Sequence, residues 1–234
     1  MLLKLQIEAE SGLAGAQYTL GRAYEFGKYG AVDYPAAERW YLAAAGQGIA
    51  EAQCNLGVMY AAGRIPGKGI TDANIWFERA ASSGYHQAQL NLAISYLKGN
   101  GVEKNGKLAI EWATKAAEQG YAIAERQLGQ IYSEGLAGTV DIAEASSWLD
   151  RAIKHGDVEA MYLMGKLHFG LGPIKGPNDA EGFTNVGNAL IWFCEAAGRG
   201  HTQAQAMKNN LKAILPRTLF DYYSSMAPTR LDSN

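Results

Sequence analysis

The chain has 234 residues, of which 48% are hydrophobic and 19% are charged, and its formal net charge is −2. A chain of this length can bury a sizeable core, whereas its near-neutral charge argues against a nucleic-acid partner, because nucleic-acid binders carry a concentrated basic excess. No apolar run approaches the roughly 18 residues that span a bilayer, so we expect no direct membrane insertion.

The N-terminal segment, residues 1–8, lacks the basic region and the uninterrupted apolar region of a signal peptide. We therefore expect a cytoplasmic protein, with a periplasmic or secreted location as the alternative if a signal peptide has been removed. Residues 1–12 are predicted to be the end of a partial repeat that forms an N-terminal cap, because Gly12 precedes Ala16 by the same interval as Gly48 precedes Ala52.

A repeat of 36 residues organises the middle of the chain. The five tryptophans share one phase of it, with steps of 36, 36, 36 and 44 residues between Trp40, Trp76, Trp112, Trp148 and Trp192. A glycine and then an alanine follow each tryptophan at fixed intervals. The alanines that mark the five units are Ala16, Ala52, Ala88, Ala124 and Ala160. Self-similarity of this kind indicates a repeat architecture.

Each unit is predicted to contain two helices. In the first unit, helix A spans about residues 16–26, because its apolar residues Ala16, Leu20, Ala23 and Tyr24 follow a period of 3.6 residues. Helix B spans about residues 35–46, opened by Asp33 and Pro35. The repeated tryptophan is predicted to fill the space between neighbouring helix pairs. One pair cannot bury both of its faces, so the units must stack.

The residues at the fixed positions of each unit resemble those of a Sel1-like repeat. In the second unit they read Ala52-Gln53-x-x-Leu56-Gly57-x-x-Tyr60-x-x-Gly63 and then Trp76-Phe77-x-x-Ala80-Ala81-x-x-Gly84. The resemblance covers residues 13–202 in five units. It implies an all-α fold, a right-handed α-solenoid of helix-turn-helix repeats related to tetratricopeptide arrays.

Two segments depart from the repeat. The fifth unit carries eight extra residues in a Gly- and Pro-rich loop at 171–184, with helix B expected to begin near Asn185. This loop is either part of a binding rim or a change of length without consequence. Residues 203–234 are predicted to form a C-terminal capping helix and tail, with Pro216 ending the helix and Phe220, Tyr222 and Tyr223 packing back on it.

By the same resemblance, the helices A line the concave face of the solenoid. The second, sixth, ninth and tenth positions after each marker alanine share one helical face and are predicted to point into the groove. The predicted partner-binding residues are Tyr18, Arg22, Glu25, Phe26, Val58, Leu90, Ile94, Leu97, Lys98, Arg126, Gln130, Glu134, Tyr162, Lys166 and Phe169. This surface is apolar at its centre and aromatic and charged at its ends, as in many interfaces. The alternative is that curvature buries these side chains against each other.

The sequence contains no recognisable catalytic or metal-binding pattern. Its four histidines lie in separate units, Cys54 and Cys194 are far apart, and no HExxH, CxxC, GxSxG or phosphate-binding loop occurs. We therefore expect no enzymatic activity, no cofactor and no metal. His168 replaces a repeated tyrosine and is predicted to be a packed histidine rather than a ligand.

These observations predict a non-catalytic scaffold or adaptor that binds a protein or peptide on its concave surface, with a monomer favoured. The resemblance implies two alternatives. One is an immunity protein that neutralises a bacterial toxin such as a secreted phospholipase. The other is a receptor for a glycan or small ligand, with Tyr18, Tyr162 and Phe169 as stacking platforms.

Overall fold

A computed structural model describes residues 2–172 and 179–227, and within these ranges all regular secondary structure is helical. The helices are α1 (Leu2–Glu10), α2 (Ala14–Glu25), α3 (Tyr34–Gly46), α4 (Ala50–Ala61), α5 (Ile70–Ser82), α6 (His86–Lys98), α7 (Gly106–Ala117), α8 (Ala122–Glu134), α9 (Ile142–Lys154), α10 (Val158–Gly170), α11 (Ala180–Gly198), α12 (Thr202–Ile214) and α13 (Arg217–Ser225). Each repeat contributes one helix A and one helix B, which confirms the predicted all-α helix-turn-helix architecture.

The chain forms two compact units, Met1–Gln119 and Gly120–Asn234. In the N-terminal unit, α1 precedes the pairs α2/α3, α4/α5 and α6/α7, and α3 packs on α4 and α5 on α6. In the C-terminal unit, the pairs α8/α9 and α10/α11 are followed by α12 and α13, and α9 packs on α10. Within each unit, stacking buries the apolar faces that a single pair would leave in water.

Polar caps and glycines set the ends of the helices. Asp33 accepts a hydrogen bond of 2.9 Å from the backbone N–H of Ala36 at the start of α3, and Asn105 accepts one of 3.0 Å from Leu108 at the start of α7. These side chains satisfy N–H groups that have no partner within the helix. Gly99 ends α6 with a φ of +72°, a conformation that side chains with a Cβ rarely adopt.

The residue after each tryptophan, rather than the tryptophan itself, fills the space between helix A and helix B. These residues are buried, and four of them face a glycine on helix A: Tyr41 faces Gly21, Phe77 faces Gly57, Leu149 faces Gly129 and Phe193 faces Gly165. The tryptophans are only half-buried, and Trp40, Trp76, Trp112 and Trp192 lie at the edges of the apolar clusters. The prediction that tryptophan fills the space between neighbouring helix pairs concerns a different contact and stays a prediction.

The third repeat replaces this contact with two small residues. Ala93 stands where the other repeats have glycine, and Ala113 stands where they have a large side chain. Both alanines are buried. Helix A of the third repeat can therefore carry the Cβ of Ala93, because the facing residue on helix B is the small Ala113.

A buried glutamine connects each of the first three helices A to the helix that precedes it. Its side-chain amide donates to a backbone carbonyl eight residues earlier: Gln17 to Ala9 at 3.1 Å, Gln53 to Ala45 at 3.2 Å and Gln89 to Ala81 at 3.2 Å. The carbonyls lie in the last turns of α1, α3 and α5, and each also accepts from the backbone N–H of the glycine three residues later, Gly12, Gly48 or Gly84. The glutamine therefore fixes the junction between successive repeats.

The fifth repeat departs from its predicted boundaries. Helix α11 begins at Ala180 rather than near Asn185, and Asp179 accepts from the backbone N–H of Gly182 at 3.0 Å. Part of the insertion therefore extends helix B, which has 19 residues. Residues 173–178, in the middle of the predicted loop, lie outside the described residues.

The C-terminal helix α13 packs on α11, as the sequence predicts for two of its three aromatic residues. Phe220 is buried, and the Tyr223 ring lies so close to Gly187 that a Cβ there would clash with it. Tyr222 is exposed, so the prediction that it packs back on the helices is wrong. The tail at 228–234 lies outside the described residues.

Candidate interaction surface

Each helix A leaves one stripe of side chains accessible to solvent. The stripe follows the third, sixth and tenth positions after the marker alanine. In the N-terminal unit it contains Thr19, Arg22, Phe26, Asn55, Val58, Ala62, Asn91, Ile94 and Lys98, which we call the N-terminal stripe. In the C-terminal unit it contains Gln127, Gln130, Glu134, Lys166 and Gly170, which we call the C-terminal stripe; Leu163, at the third position of the fifth repeat, is buried and does not belong to it.

The second position after the marker does not belong to this surface. Leu90 retains 6% of its exposed area and Cys54 is similarly buried, so the prediction that Leu90 lies in the groove is wrong. Cys54 on α4 contacts the next helix A, where Asn91 Nδ2 on α6 lies 3.8 Å from its sulfur. Burial raises the pKa of the Cys54 thiol to about 12, so the group stays protonated and unreactive at neutral pH.

Tyr18 and Glu25 belong to a half-buried network beneath the N-terminal stripe. The Tyr41 hydroxyl donates to Glu25 Oε2 at 2.5 Å and accepts from Asn55 Nδ2 at 3.1 Å. Burial and the Glu25 carboxylate raise the pKa of Tyr41 far above its usual value. The Tyr18 ring centroid lies 6.0 Å from that of Tyr41, so only part of the Tyr18 ring is available for stacking.

The N-terminal stripe combines apolar and cationic side chains. Phe26 retains 66% of its exposed area and Val58 retains 44%, while Ile94 and Leu97 are half-buried. Arg22 lies beside Phe26, with its Cζ atom 5.9 Å from the ring centroid. Apolar surface next to a positive charge is typical of protein interfaces.

The predicted residues of the C-terminal unit are mostly engaged within the unit. Arg126 Nε donates to Asp157 Oδ2 at 2.9 Å, and both side chains are largely shielded from solvent. Tyr162 stacks on His201 with ring centroids 4.6 Å apart. Phe169 remains exposed. Of the three rings predicted as glycan-stacking platforms, Tyr18 and Tyr162 are therefore half-buried, and Phe169 alone is exposed.

The C-terminal stripe is polar. Gln130 Nε2 donates to Glu134 Oε1 at 3.1 Å, and Lys166 Nζ lies 3.9 Å from the same oxygen. This contact joins the helices A of two successive repeats through exposed charges. Exposed pairs of this kind add little stability, so these groups remain free to exchange partners.

A buried carboxylate in the fourth repeat was not anticipated from the sequence. Glu125 is fully buried, its Oε1 accepts from Arg151 Nε at 3.2 Å, and its Oε2 lies 2.7 Å from His155 Nδ1. Glu125 occupies the position at which the first three repeats carry the buried glutamine. This change from glutamine to glutamate was the feature of the sequence that could have indicated a buried carboxylate. The carboxylate binds helix B of the same repeat and does not reach the C-terminal stripe.

His201 and His168 have structural surroundings. His201 Nδ1 accepts from the backbone N–H of Ala204 at 3.0 Å, so Nε2 carries the proton that it donates to Glu159 at 2.9 Å. His168 is half-buried, and burial lowers its pKa although Asp150 acts in the opposite direction. Packing of this kind matches the prediction for His168.

Neither a metal centre nor a membrane span is found in the described parts of the chain. Residues 2–172 and 179–227 contain no group of three or more His, Cys, Asp or Glu side chains that could hold a metal ion. Over the same ranges, no helix is both long enough and apolar enough to cross a membrane.

Comparison with known proteins supports the repeat assignment. The family model for the Sel1 repeat matches residues 14–49, 50–85, 86–121, 122–157 and 158–201. Among solved structures, a Sel1 repeat protein from Oxalobacter formigenes is 27% identical, with a TM-score of 0.74 and coverage of 93% of this chain and 88% of that chain. A search of curated proteins gives no match.

Two further solved structures have the same fold. A protective antigen of uropathogenic Escherichia coli that displays an SLR fold is 26% identical with a TM-score of 0.67, over 96% of this chain and 56% of the antigen. The present chain therefore spans little more than half of that protein. A protein from Klebsiella pneumoniae subsp. pneumoniae is 23% identical with a TM-score of 0.55, over 89% of this chain and 98% of that one.

Proposed function

The chain belongs to the Sel1 repeat family, and on this basis we propose that it is a non-catalytic scaffold that binds a protein or peptide along the stripes of its helices A. The observation that carries the proposal is the pair of exposed apolar side chains Phe26 and Val58 on the N-terminal stripe. They lie on helices A of successive repeats, where an extended partner would contact both. Burying apolar surface of this kind contributes roughly 25 cal/mol per Å² to binding.

The polar residues of the stripes supply the means of selecting a partner. Arg22 and Lys98 lie on the N-terminal stripe, and Glu134 and Lys166 lie on the C-terminal stripe. Charged side chains at the rim of an apolar contact affect association rate and specificity more than affinity. A partner is therefore expected to match the charges of the stripe that it occupies, and on the N-terminal stripe the apolar side chains as well.

A capture experiment tests the proposal. The wild-type chain and the Val58→Asp/Ala62→Asp variant are immobilised as baits, and bound proteins from source-cell extract are identified by mass spectrometry. The expected result is a dominant protein that binds the wild type and is lost with the variant, because two carboxylates are placed in the apolar contact.

The matched control carries the same two charges on helix B of the same repeat. In Thr71→Asp/Ile75→Asp the substituted residues are also exposed and one turn apart. This variant is expected to capture the same protein as the wild type. Equal capture by all three baits would contradict binding along the stripe.

The captured partner also distinguishes an adaptor from an immunity protein. An immunity protein forms a tight complex in which the activity of a toxin is abolished, whereas an adaptor binds two partners at once through separable surfaces. Mixing the purified chain with the captured protein and measuring that protein's activity separates the two.

A further inference from the structure

The end of the first helix A carries a small pocket with two cations at its rim. The pocket has a volume of about 450 Å³ and is lined by Thr19, Arg22, Ala23, Phe26, Lys28 and Tyr29. Neither Arg22 nor Lys28 forms an ion pair with any residue that the structure describes. The pocket therefore presents positive charge that the surrounding chain does not neutralise.

Aromatic rings hold the two cations in place. The Arg22 Cζ atom lies 5.9 Å from the ring centroids of both Tyr18 and Phe26, and Lys28 Nζ lies 5.5 Å from that of Tyr29. An exposed cation–π contact is worth only about 0.5–1 kcal/mol. The rings therefore limit the motion of the Arg22 and Lys28 side chains, while the N–H groups of these side chains remain available as hydrogen-bond donors.

This arrangement is particular to the first repeat among those described. Tyr29 is exposed, whereas Ile65, at the same position of the second repeat, is buried in the core. Phe26 corresponds to Ala62 and Lys98 in the next two repeats. The first repeat therefore presents two aromatic rings to solvent at a point where its neighbours present none.

The size and charge of the pocket limit what can bind. A volume of about 450 Å³ holds one or two side chains, and a net charge of −2 for the whole chain disfavours an extended polyanion. We propose that the pocket recognises an acidic peptide segment of the partner. A carboxylate accepts hydrogen bonds from Arg22 and Lys28, and an adjacent aromatic or aliphatic side chain packs on Phe26 and Tyr29.

This assignment rests on the proposed function, because the segment belongs to the protein bound along the N-terminal stripe. The stripe and the pocket share Thr19, Arg22 and Phe26. A partner that lies along the stripe can therefore place its acidic segment in the pocket without leaving the stripe. Recognition by charge at one end would then fix the direction of the bound chain.

Selection from a random peptide library displayed on phage, with the whole chain as target, tests the assignment. The selected peptides are expected to combine aspartate or glutamate with a neighbouring aromatic or aliphatic residue. A synthetic peptide of that consensus is expected to bind Arg22→Glu/Lys28→Glu at least about tenfold more weakly, and to bind the wild type more weakly as salt increases.

The control variant carries the same charge change elsewhere. Arg39 and Arg79 lie on helices B, each above a tryptophan ring at 5.0 Å and 4.6 Å, so Arg39→Glu/Arg79→Glu is expected to bind the peptide like the wild type. If the circular dichroism of Arg22→Glu/Lys28→Glu shows loss of helix, Arg22→Gln/Lys28→Gln replaces it, with severalfold weaker binding expected.

The remaining outcomes separate the pocket from the proposed function. The pocket assignment is overturned if the selected peptides contain no acidic residues. It is also overturned if they bind Arg22→Glu/Lys28→Glu with the same affinity as the wild type. If those peptides still bind more weakly to Val58→Asp/Ala62→Asp than to the wild type, the proposal that the partner binds along the stripe is retained. If neither variant weakens the binding of any selected peptide, or if no peptide is selected, both the pocket assignment and binding along the stripe are overturned.

Discussion

A Cβ on Gly57 would lie 2.5 Å from the ring of Phe77, closer than side chains approach one another in folded proteins. The same relationship joins Gly21 to Tyr41, whereas the third repeat has alanine at both positions. Glycine is therefore required on helix A because a large side chain on helix B occupies the space that its Cβ would take. This contact sets the distance between the two helices of a repeat.

The first prediction concerns the coupling of these two residues. Gly57→Ala should destabilise the chain by about 1–3 kcal/mol through overpacking, and Phe77→Ala by about 3–5 kcal/mol through the cavity it leaves. In Gly57→Ala/Phe77→Ala the new methyl group enters that cavity, so the loss should fall short of the summed losses by about 1 kcal/mol or more. Urea unfolding of the four proteins measures the difference. Additive losses would show that the two side chains do not share one space.

The second prediction compares Trp76 with Phe77, its neighbour on α5. Trp76 is half-buried, with the Arg79 guanidinium 4.6 Å from its ring centroid, whereas Phe77 is buried. Trp76→Ala should therefore destabilise the chain by less than Phe77→Ala, although it removes more atoms. Thermal unfolding followed by circular dichroism ranks the two variants. A larger loss for Trp76→Ala would show that the tryptophan contributes more to packing than its buried neighbour.

The third prediction concerns the buried carboxylate of Glu125. Arg151→Met removes one of the two partners of the buried Glu125 carboxylate, Arg151 and His155. It should destabilise the chain by at most about 3–5 kcal/mol, the loss that follows when a buried ion pair is broken. Adding Glu125→Gln removes the carboxylate charge and should recover part of the loss. Denaturant unfolding of the wild type and both variants under one set of conditions provides the comparison. If Glu125→Gln/Arg151→Met were less stable than Arg151→Met alone, the pairing would not explain the burial of Glu125.

The fourth prediction follows from the lowered pKa of His168. Burial favours the neutral imidazole in the folded chain, so the unfolded chain binds more protons once the pH falls below the ordinary histidine value of about 6.5. This contribution is fully present above that pH and is lost as the pH falls from about 6.5 toward the lowered pKa. His168→Tyr restores the residue that the first four repeats carry here and should reduce the loss of stability between pH 7 and pH 5. Melting temperatures of both proteins across that range test it, and parallel curves would contradict it.

The repeat period was sufficient to predict the fold, because the marker alanine, the tryptophan and the glycine after it recur every 36 residues in the first four repeats. It was less informative about which residue fills the core. Trp40 and Tyr41 are both large and apolar, and their order of burial depends on the direction in which each side chain leaves helix B. The glycine that accompanies Tyr41, and the alanine pair in the third repeat, were the signals that could have identified the buried member.

The candidate surface could be predicted only in part for a similar reason. The second and third positions after the marker alanine differ by 100° around a helix, so an error of one position in assigning the exposed face exchanges Leu90 for Asn91. The third position carries Thr19, Asn55, Asn91 and Gln127 in four of the repeats, and this polarity indicates exposure. The ion pair of Glu125 with Arg151 was not predictable, because 26 residues separate the two.

Photo-crosslinking tests binding along the stripes most directly. The photoreactive residue benzoylphenylalanine is placed at Val58 on the N-terminal stripe in one protein and at Ile75 on helix B in another, both positions being exposed. Each protein is irradiated in source-cell extract. We predict that the Val58 probe forms a discrete crosslink to the partner and that the Ile75 probe does not. A crosslink to the same partner from Ile75, with none from Val58, would place the binding surface on the helices B and contradict the account.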